Sequence, residues 1–319
     1  MGAVDRPARH SLGPWLRYAA RRFRAASLSF GHGTANARDE AAWLVCHVSG
    51  VAHGDLNASL ERFLSVRERR RLFSLIDRRI DERVPMAYLL KEAWLGEHRF
   101  YVDERVIVPR SHIAELLRDG LSPWVPRSHR VRTALDLCTG SGCLAIVLAL
   151  AFPRAEVHAS DLSSGALTVA KRNIRAYGLE RRVRLLRSDL FRDLPHEHYD
   201  LIVANPPYVD AATMASLPTE YRREPRRALA GGQDGLHFVR RIVEAAPAFL
   251  ARKGRLIIEV GRGMRRLERA FPALPLTWLD TSAGSGLVFL LTREQLQESG
   301  VADGIRTRNN RNHNPGLYR

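Results

Sequence analysis

The stretch TALDLCTGSGCLAI, Thr133 to Ile146, decides the fold. A strand-like run ends in Cys138-Thr139-Gly140-Ser141-Gly142, and an apolar helix-like run starts at once. A strand that turns directly into a helix through two glycines opens a β-α unit, because glycine tolerates the backbone of a tight turn. Outward from it, strand-like and helix-like segments alternate from 131 to 292. Strand candidates fall at 132–137, 155–160, 182–188, 200–205 and 254–261, with helices at 142–152, 164–177 and 235–252. Two last strands, 277–280 and 286–292, lie close enough together to form a hairpin. The pattern predicts an α/β fold, a parallel sheet with helices on both faces, closed by an antiparallel pair.

Gly140, Gly142 and Ala145 satisfy the dinucleotide fingerprint G-x-G-x-x-A, with an acid following at Asp161, so a nicotinamide oxidoreductase enters the comparison. Asp136 argues for another ligand. A pyrophosphate would meet a carboxylate at the strand end and be repelled, whereas a cationic ligand would be held. S-adenosylmethionine, with a sulfonium and an α-ammonium group, has that character. Asp161 suits ribose hydroxyls in either case, and Asp189, at the end of the third strand, can accept from an adenine amino group. Three acids at successive strand ends occupy the ligand-binding edge of such a sheet.

The fourth strand ends as DLIVANPPYVD, Asp200 to Asp210. Asn205 brings a side-chain carbonyl. Pro206 keeps its C=O on a backbone of fixed φ, and Pro207 restricts the residue before it. Two rigid acceptors can receive both protons of a planar –NH2 group, and Tyr208 offers a ring on which that group stacks. The motif is a clamp for an amide or an aromatic amine. Transfer of a methyl group to the clamped nitrogen needs positioning and fixed dipoles rather than a metal, and no metal is expected.

The rest of the chain frames this core. With 319 residues the chain is long enough for two domains, and 45% apolar and 26% charged residues are ordinary for a globular protein. No run reaches the ~18 apolar residues of a membrane span, and no secretory signal is visible, so a cytoplasmic protein is expected. Cys46, Cys138 and Cys143 have no metal or redox spacing and read as buried thiols. Lys and Arg number 50 against 34 acids, a formal charge of +16, which suggests a nucleic-acid-rich neighbourhood. Residues 12 to about 85 show helical spacing, as at Trp15, Tyr18, Ala19 and Phe23, and the basic amphipathic stretch 15–28 reads as a helix of the folded protein. Phe100–Val102 and Val106–Val108 around Asp103-Glu104 predict a hairpin. The expected organisation is an N-terminal helical substrate-recognition domain at 1–90, a hairpin and linker at 91–126, a cofactor-binding domain at 127–296, and a disordered basic tail at 297–319.

DLCTGSG (136–142) together with NPPY (205–208) resembles the class I methyltransferases that act on exocyclic or amide nitrogen. The chain is more closely similar to the protein glutamine N5-methyltransferases, over roughly residues 80–295. F-x-V…V-x-V-P-R (Phe100 to Arg110) and E-P-x-x-A-L-x-G-G-x-D-G-L (Glu224 to Leu236) carry that likeness. AWLGEHRFYVDERVIVPRS (93–111), LCTGSGCLAI (137–146) and PTEYRREP (218–225) are most like the branch that methylates large-subunit ribosomal protein L-three. His112 departs from it, standing where that branch usually has proline. The resemblance implies a seven-stranded, Rossmann-like class I sheet and S-adenosylmethionine as cofactor. It implies that Cys138, Thr139, Gly140, Ser141 and Gly142 hold the methionine end, Asp161 and Leu162 the ribose side, and Asp189 and Leu190 the adenine. Asn205 would bridge cofactor and substrate, with Pro206, Pro207 and Tyr208 cradling a glutamine amide and Phe100 and Arg110 contributing to substrate binding. The implied partner is a ribosomal protein, near ribosomal RNA. The rival readings are a DNA N6-adenine or N4-cytosine methyltransferase and a release-factor glutamine methyltransferase. Direct DNA binding is not expected, because no insertion large enough for a base-flipping reader is visible between 131 and 292.

Overall fold

The computed structural model describes Pro7, residues 9–125 and residues 130–300. The chain divides into two compact units, one reaching Arg110 and including Leu217–Pro225, the other made of Ser111–Ser216 and the chain from Arg226 onward.

The first unit is helical: α1 (Leu12–Ala25), α2 (Ala37–Ser49), α3 (Val66–Asp81) and α4 (Met86–Leu90), followed by the strands β1 (Ala93–Leu95) and β2 (His98–Phe100). Local chemistry sets the boundaries. Asn36 caps α2 by accepting from the Arg38 and Asp39 N–H groups at 3.0 Å. Ser65 and Glu68 form a reciprocal capping box on α3. Trp15, Tyr18, Ala19 and Phe23 recur at helical spacing and are buried, so the basic stretch 15–28 gives the core its apolar face through α1. A buried ion pair ties α2 to α3, Arg79 Nε to Glu40 Oε1 at 2.7 Å.

The hairpin is not where the β-rich pieces predict it. Ala93, Trp94 and Leu95 pair with Phe100, Arg99 and His98 around a Gly96-Glu97 turn. Residues 101–110 form no strand. Asp103 accepts the Arg105 N–H at 3.1 Å, which folds the chain locally and takes the backbone away from a ladder. Val102, Val106 and Val108 are buried all the same, so their apolar character reflects core packing and not strand pairing.

The second unit opens with α5 (His112–Arg118), capped by Ser111 Oγ accepting from the Ile113 N–H. The elements β3 (Thr133–Leu137), α6 (Cys143–Ala151), β4 (Glu156–Asp161), α7 (Ser164–Ala176), β5 (Val183–Arg187) and β6 (Tyr199–Ala204) follow. Two short helices, α8 (Ala211–Ala215) and α9 (Arg226–Leu229), precede α10 (His237–Phe249) and β7 (Leu250–Glu259). Then come α11 (Met264–Ala270), β8 (Thr277–Thr281), β9 (Gly284–Thr292) and α12 (Arg293–Glu298). The sheet order is β5-β4-β3-β6-β7-β9-β8. It is parallel from β5 to β7, and β9 runs antiparallel to both β7 and β8. This is the seven-stranded class I sheet. Residues Cys143 to Ala149 of α6 are all buried, as a helix apolar all round must be. Leu135, Ile202, Leu256 and Phe289 share one core with Val239, Ile242 and Val243 of α10. Of the expected tail, residues 297 and 298 end α12, and residues 301–319 lie outside the described residues. Among the described residues no helix is long and apolar enough to cross a membrane.

Candidate active site

The register brings the motifs together. Leu137, the last residue of β3, pairs with Ser160 of β4, while its neighbour on the other side is Ala204 of β6. The loop 138–142, Asp161 and Asn205 therefore leave three adjacent strands at the same edge. The strand order reverses at β3, and open α/β sheets bind ligands outside such a switch point.

Two glycines divide the work of the loop. A Cβ on Gly142 (φ +78°) would stand 3.0 Å from Ala170 Cβ, so this glycine lets α6 pack against α7. A Cβ on Gly140 (φ +55°) would meet nothing within 4 Å, so the backbone there faces open space. The Gly140 N–H donates to Asp161 Oδ2 at 2.9 Å and the Ser163 N–H to Oδ1 at 2.8 Å, which fixes that carboxylate. Thr139 donates its hydroxyl to Asp136 Oδ2 at 2.5 Å, and Ser141 is pinned through its carbonyl by Asn173 Nδ2 at 2.9 Å. Leu162 is an exposed apolar side chain beside Asp161, whereas Leu190 is buried with a left-handed backbone.

Electrostatics decide which ligand suits this edge. Asp136 is wholly buried, and its Oδ2 is the acceptor that holds the Thr139 hydroxyl. Among the described residues none donates a hydrogen bond to its Oδ1. Burial pushes its carboxyl up to about 7, and burial also raises Asp161. The Cys138 thiol is raised as well, by burial first and then by Asp161, Asp136 and Asp189. A loop flanked by the carboxyls of Asp136 and Asp161 fits a cation, which would favour their ionised forms, and opposes a pyrophosphate. The donor set thus fits S-adenosylmethionine. Asp189 differs: Arg241 pairs with its Oδ2 at 2.9 Å and holds its carboxyl below the usual range, leaving Oδ1 as its second acceptor.

Asn205 and Tyr208 are half-buried and Pro206 is buried at the end of β6. The segment is braced downstream. Val209 donates to the Leu229 carbonyl at 2.9 Å and accepts from Gly231 at 2.8 Å. A Cβ on Gly231 would lie 2.6 Å from Tyr208 Cα and 2.8 Å from the Pro207 carbonyl, so only glycine permits this approach. Asp210 caps α8 and pairs with Arg266 at 2.7 Å. Behind the clamp lies Glu259, buried at the end of β7. It accepts from Ser111 Oγ at 2.7 Å and the His112 N–H at 2.9 Å, and lies 3.5 Å from the Tyr208 hydroxyl. A proline at position 112 could not make the second of these bonds.

The roles of Glu259, Gly231, Arg241 and Arg266 are not evident from the sequence alone. Signals existed for two. Gly231 belongs to the glycine pattern after Glu224, and Glu259 is a fourth acid closing an apolar strand. Phe100 and Arg110, expected at the substrate, lie in the first unit. Phe100 is buried in β2 with no surface for a ligand. Arg110 is committed to Glu224 through two bonds of 2.9 and 2.6 Å, its guanidinium 5.4 Å from the Tyr221 ring centroid. Among the described residues no cluster of three or more His, Cys, Asp or Glu side chains could hold a metal ion.

A sheet of this order with a glycine loop, strand-end acids and an Asn-Pro-Pro-Tyr edge defines a class I methyltransferase. In agreement, the profile of the Methyltransferase small domain matches residues 121–235, and that of the PrmC N-terminal domain matches residues 14–90. The chain is 54% identical over 281 residues to the ribosomal protein uL3 glutamine methyltransferase of Bordetella pertussis, covering 88% of this chain and 94% of that one. The protein of the same name from Neisseria meningitidis serogroup B is 53% identical over 281 residues, with 88% and 92% covered. The chain belongs to the ribosomal protein uL3 glutamine methyltransferase family. Among solved structures, a methyltransferase from Pyrococcus furiosus is 18% identical with a TM-score of 0.45, covering 71% of this chain and 98% of that one.

Proposed function

We propose that this enzyme transfers a methyl group from S-adenosylmethionine to the side-chain amide nitrogen (N5) of a glutamine in ribosomal protein uL3. The observation that carries the reading is the juxtaposition of Asn205 at the end of β6 with the glycine loop at the end of β3. When bound, S-adenosylmethionine supplies an electrophilic sulfonium methyl. Cys138 to Gly142 and the negative field of Asp136 receive its cationic methionine end. Asp161, with Leu162 beside it, receives the ribose hydroxyls, and Asp189, with Leu190 beside it, accepts from the adenine amino group.

The clamp addresses the weakness of an amide as a nucleophile, whose nitrogen lone pair is delocalised into the carbonyl. Asn205 Oδ1 and the Pro206 carbonyl accept hydrogen bonds from the two amide N–H groups and fix the plane of the group; one of those protons is released to solvent as the methyl group is gained. Tyr208 stacks on that plane, and Pro207 keeps the backbone from relaxing. Bracing by Gly231, Asp210 and Glu259 means that these acceptors are preorganised, so positioning supplies most of the catalysis. The helical domain at 1–90 selects the protein substrate, and the enzyme works in the cytoplasm. Names of the relatives favour glutamine over the nucleobase amines that the same clamp would accept.

The test is to incubate the enzyme with methyl-labelled cofactor and either purified uL3 or duplex DNA, then locate the label by mass spectrometry. Label on a uL3 glutamine is expected. Label on adenine or cytosine with none on glutamine overturns the reading.

A further inference from the structure

We infer that a cleft in the first unit, walled by Trp94, Glu92, Glu97 and Asp39, docks an arginine- or lysine-bearing segment of the protein substrate. The cleft has a volume of about 780 Å³ and lies wholly within the helical unit, between α2 and the β1–β2 hairpin. It is remote in sequence from every residue of the methyl-transfer site.

Its central feature is an exposed tryptophan with a fixed orientation. Trp94 stands opposite Arg99 on the outward face of the hairpin and is 41% exposed, where a solvent-facing strand position ordinarily carries a polar residue. Its indole N–H donates to Glu92 Oε1 at 3.0 Å, and the buried Trp43 donates to the same oxygen at 3.0 Å. Glu92 Oε2 faces His47 Nδ1 at 3.3 Å and Arg99 at 3.7 Å. Burial alone would raise the Glu92 carboxyl, but the bonds from His47, Trp43 and Trp94 hold it at about 2, so it stays ionised. An indole face fixed beside a permanent carboxylate offers what a guanidinium or ammonium group seeks, a π surface and an anion together. Tryptophan in such a setting is also the residue type most enriched among binding hot spots.

Charge selects the occupant. The lining holds three carboxylates, Asp39, Glu92 and Glu97, against one guanidinium, Arg99, and two imidazoles, His47 and His53, in a chain whose formal charge is +16. Asp39 and Glu97 are exposed on the rim. A phosphate would be repelled at this spot, and a basic side chain drawn in. The identity of the segment's owner rests on the uL3 reading. A protein that binds ribosomal RNA needs Lys and Arg to neutralise phosphate, and a cationic enzyme surface repels such a partner. A local acidic cleft with an aromatic anchor resolves that conflict, giving a basic substrate one favourable foothold.

Two measurements on the full chain test this. In methyl transfer to uL3, Trp94→Ala and, separately, Glu97→Lys are expected to raise KM about tenfold, the loss of one modest contact, with the affinity for S-adenosylmethionine unchanged. In calorimetry, a capped Arg/Gly peptide is expected to bind the wild-type chain, to bind both variants at least ~10-fold more weakly, and to exceed a Glu/Gly peptide. Equal binding of the Arg/Gly peptide by wild type and variants, or an unchanged KM, overturns the inference. The peptide arm is independent of catalysis: if wild type leaves uL3 unlabelled but binds the peptide through Trp94, the substrate assignment fails and the cleft stands.

Discussion

The phenol oxygen of Tyr208 stands 3.5 Å from Oε1 of Glu259, whose other oxygen is held by Ser111 Oγ and the His112 N–H. The ring that closes the clamp is therefore oriented from β7 and from the start of α5, not by the Asn-Pro-Pro-Tyr motif alone. Glu259 is buried, and burial raises its carboxyl above the ordinary range.

Glu259→Ala is expected to strand the buried Ser111 hydroxyl, at about 1–3 kcal/mol for a buried group left without an acceptor, and to release the part-buried His112 N–H at a smaller cost. Urea unfolding should record that loss, and methyl transfer should fall as Tyr208 loses its reference point. Glu259→Gln keeps an acceptor for Ser111 and should fall between wild type and the alanine variant. An unfolding midpoint unchanged in Glu259→Ala contradicts this role.

The fold was legible because its signals are local. Alternating apolar runs give the strands, and Gly140 and Gly142 mark the one turn that starts the sheet. The strand-end acids Asp136, Asp161 and Asp189 were visible for the same reason. What escaped were contacts between residues far apart in sequence. Glu259 gains meaning only when β7 lies beside β6, and Gly231 only when its backbone meets Tyr208. The misplaced hairpin is the converse case. Val102, Val106 and Val108 are β-branched because they are buried, and the Asp103 turn overrides their strand propensity.

The buried acid under the glycine loop makes cofactor affinity depend on pH. Asp136 is raised to about 7 by burial, and its field favours a cation only when it is ionised. As pH falls through about 7 the group becomes neutral and the attraction weakens; as pH rises it returns. Calorimetric affinity for S-adenosylmethionine should therefore climb between about pH 6 and about pH 8, by up to ~10-fold. Asp136→Asn should bind more weakly and lose that climb. A variant with the wild-type pH profile excludes Asp136 as its source.

Acid stability should report on Glu224 in the first unit. Burial would raise this carboxyl, but His32, at 3.5 Å, and the two bonds from Arg110 hold it at about 2. A depressed carboxylate stabilises the folded state above its unfolded pKa of about 4.3, and that contribution is lost as pH falls through the window down to about 2. Denaturant unfolding from about pH 6 downward should show the loss begin near pH 5. Glu224→Gln should be less stable at neutral pH and flatter across the same window. Parallel curves for both proteins would assign the acid sensitivity elsewhere.

Gly231→Ala separates positioning from cofactor binding. The added Cβ would lie 2.6 Å from Tyr208 Cα and 2.8 Å from the Pro207 carbonyl oxygen, both backbone atoms that no side-chain rotation can move. The Gly231 N–H to Val209 carbonyl bond ties the same two segments at 2.8 Å, so relief must come from shifting the clamp itself. A displacement approaching 1 Å at a reacting group costs on the order of 100-fold in rate. The glycine loop and Asp161 are carried by β3 and β4 and are anchored separately, by Asn173 and by the Ser163 N–H. Cofactor affinity measured by calorimetry should thus stay within about twofold of wild type, while kcat for methyl transfer falls by about two orders of magnitude. A normal kcat in a variant whose crystal structure shows the loop displaced would mean that the Asn205–Tyr208 geometry does not govern the reaction. Loss of cofactor affinity in step with kcat would mean that the two strand ends form one mechanical unit.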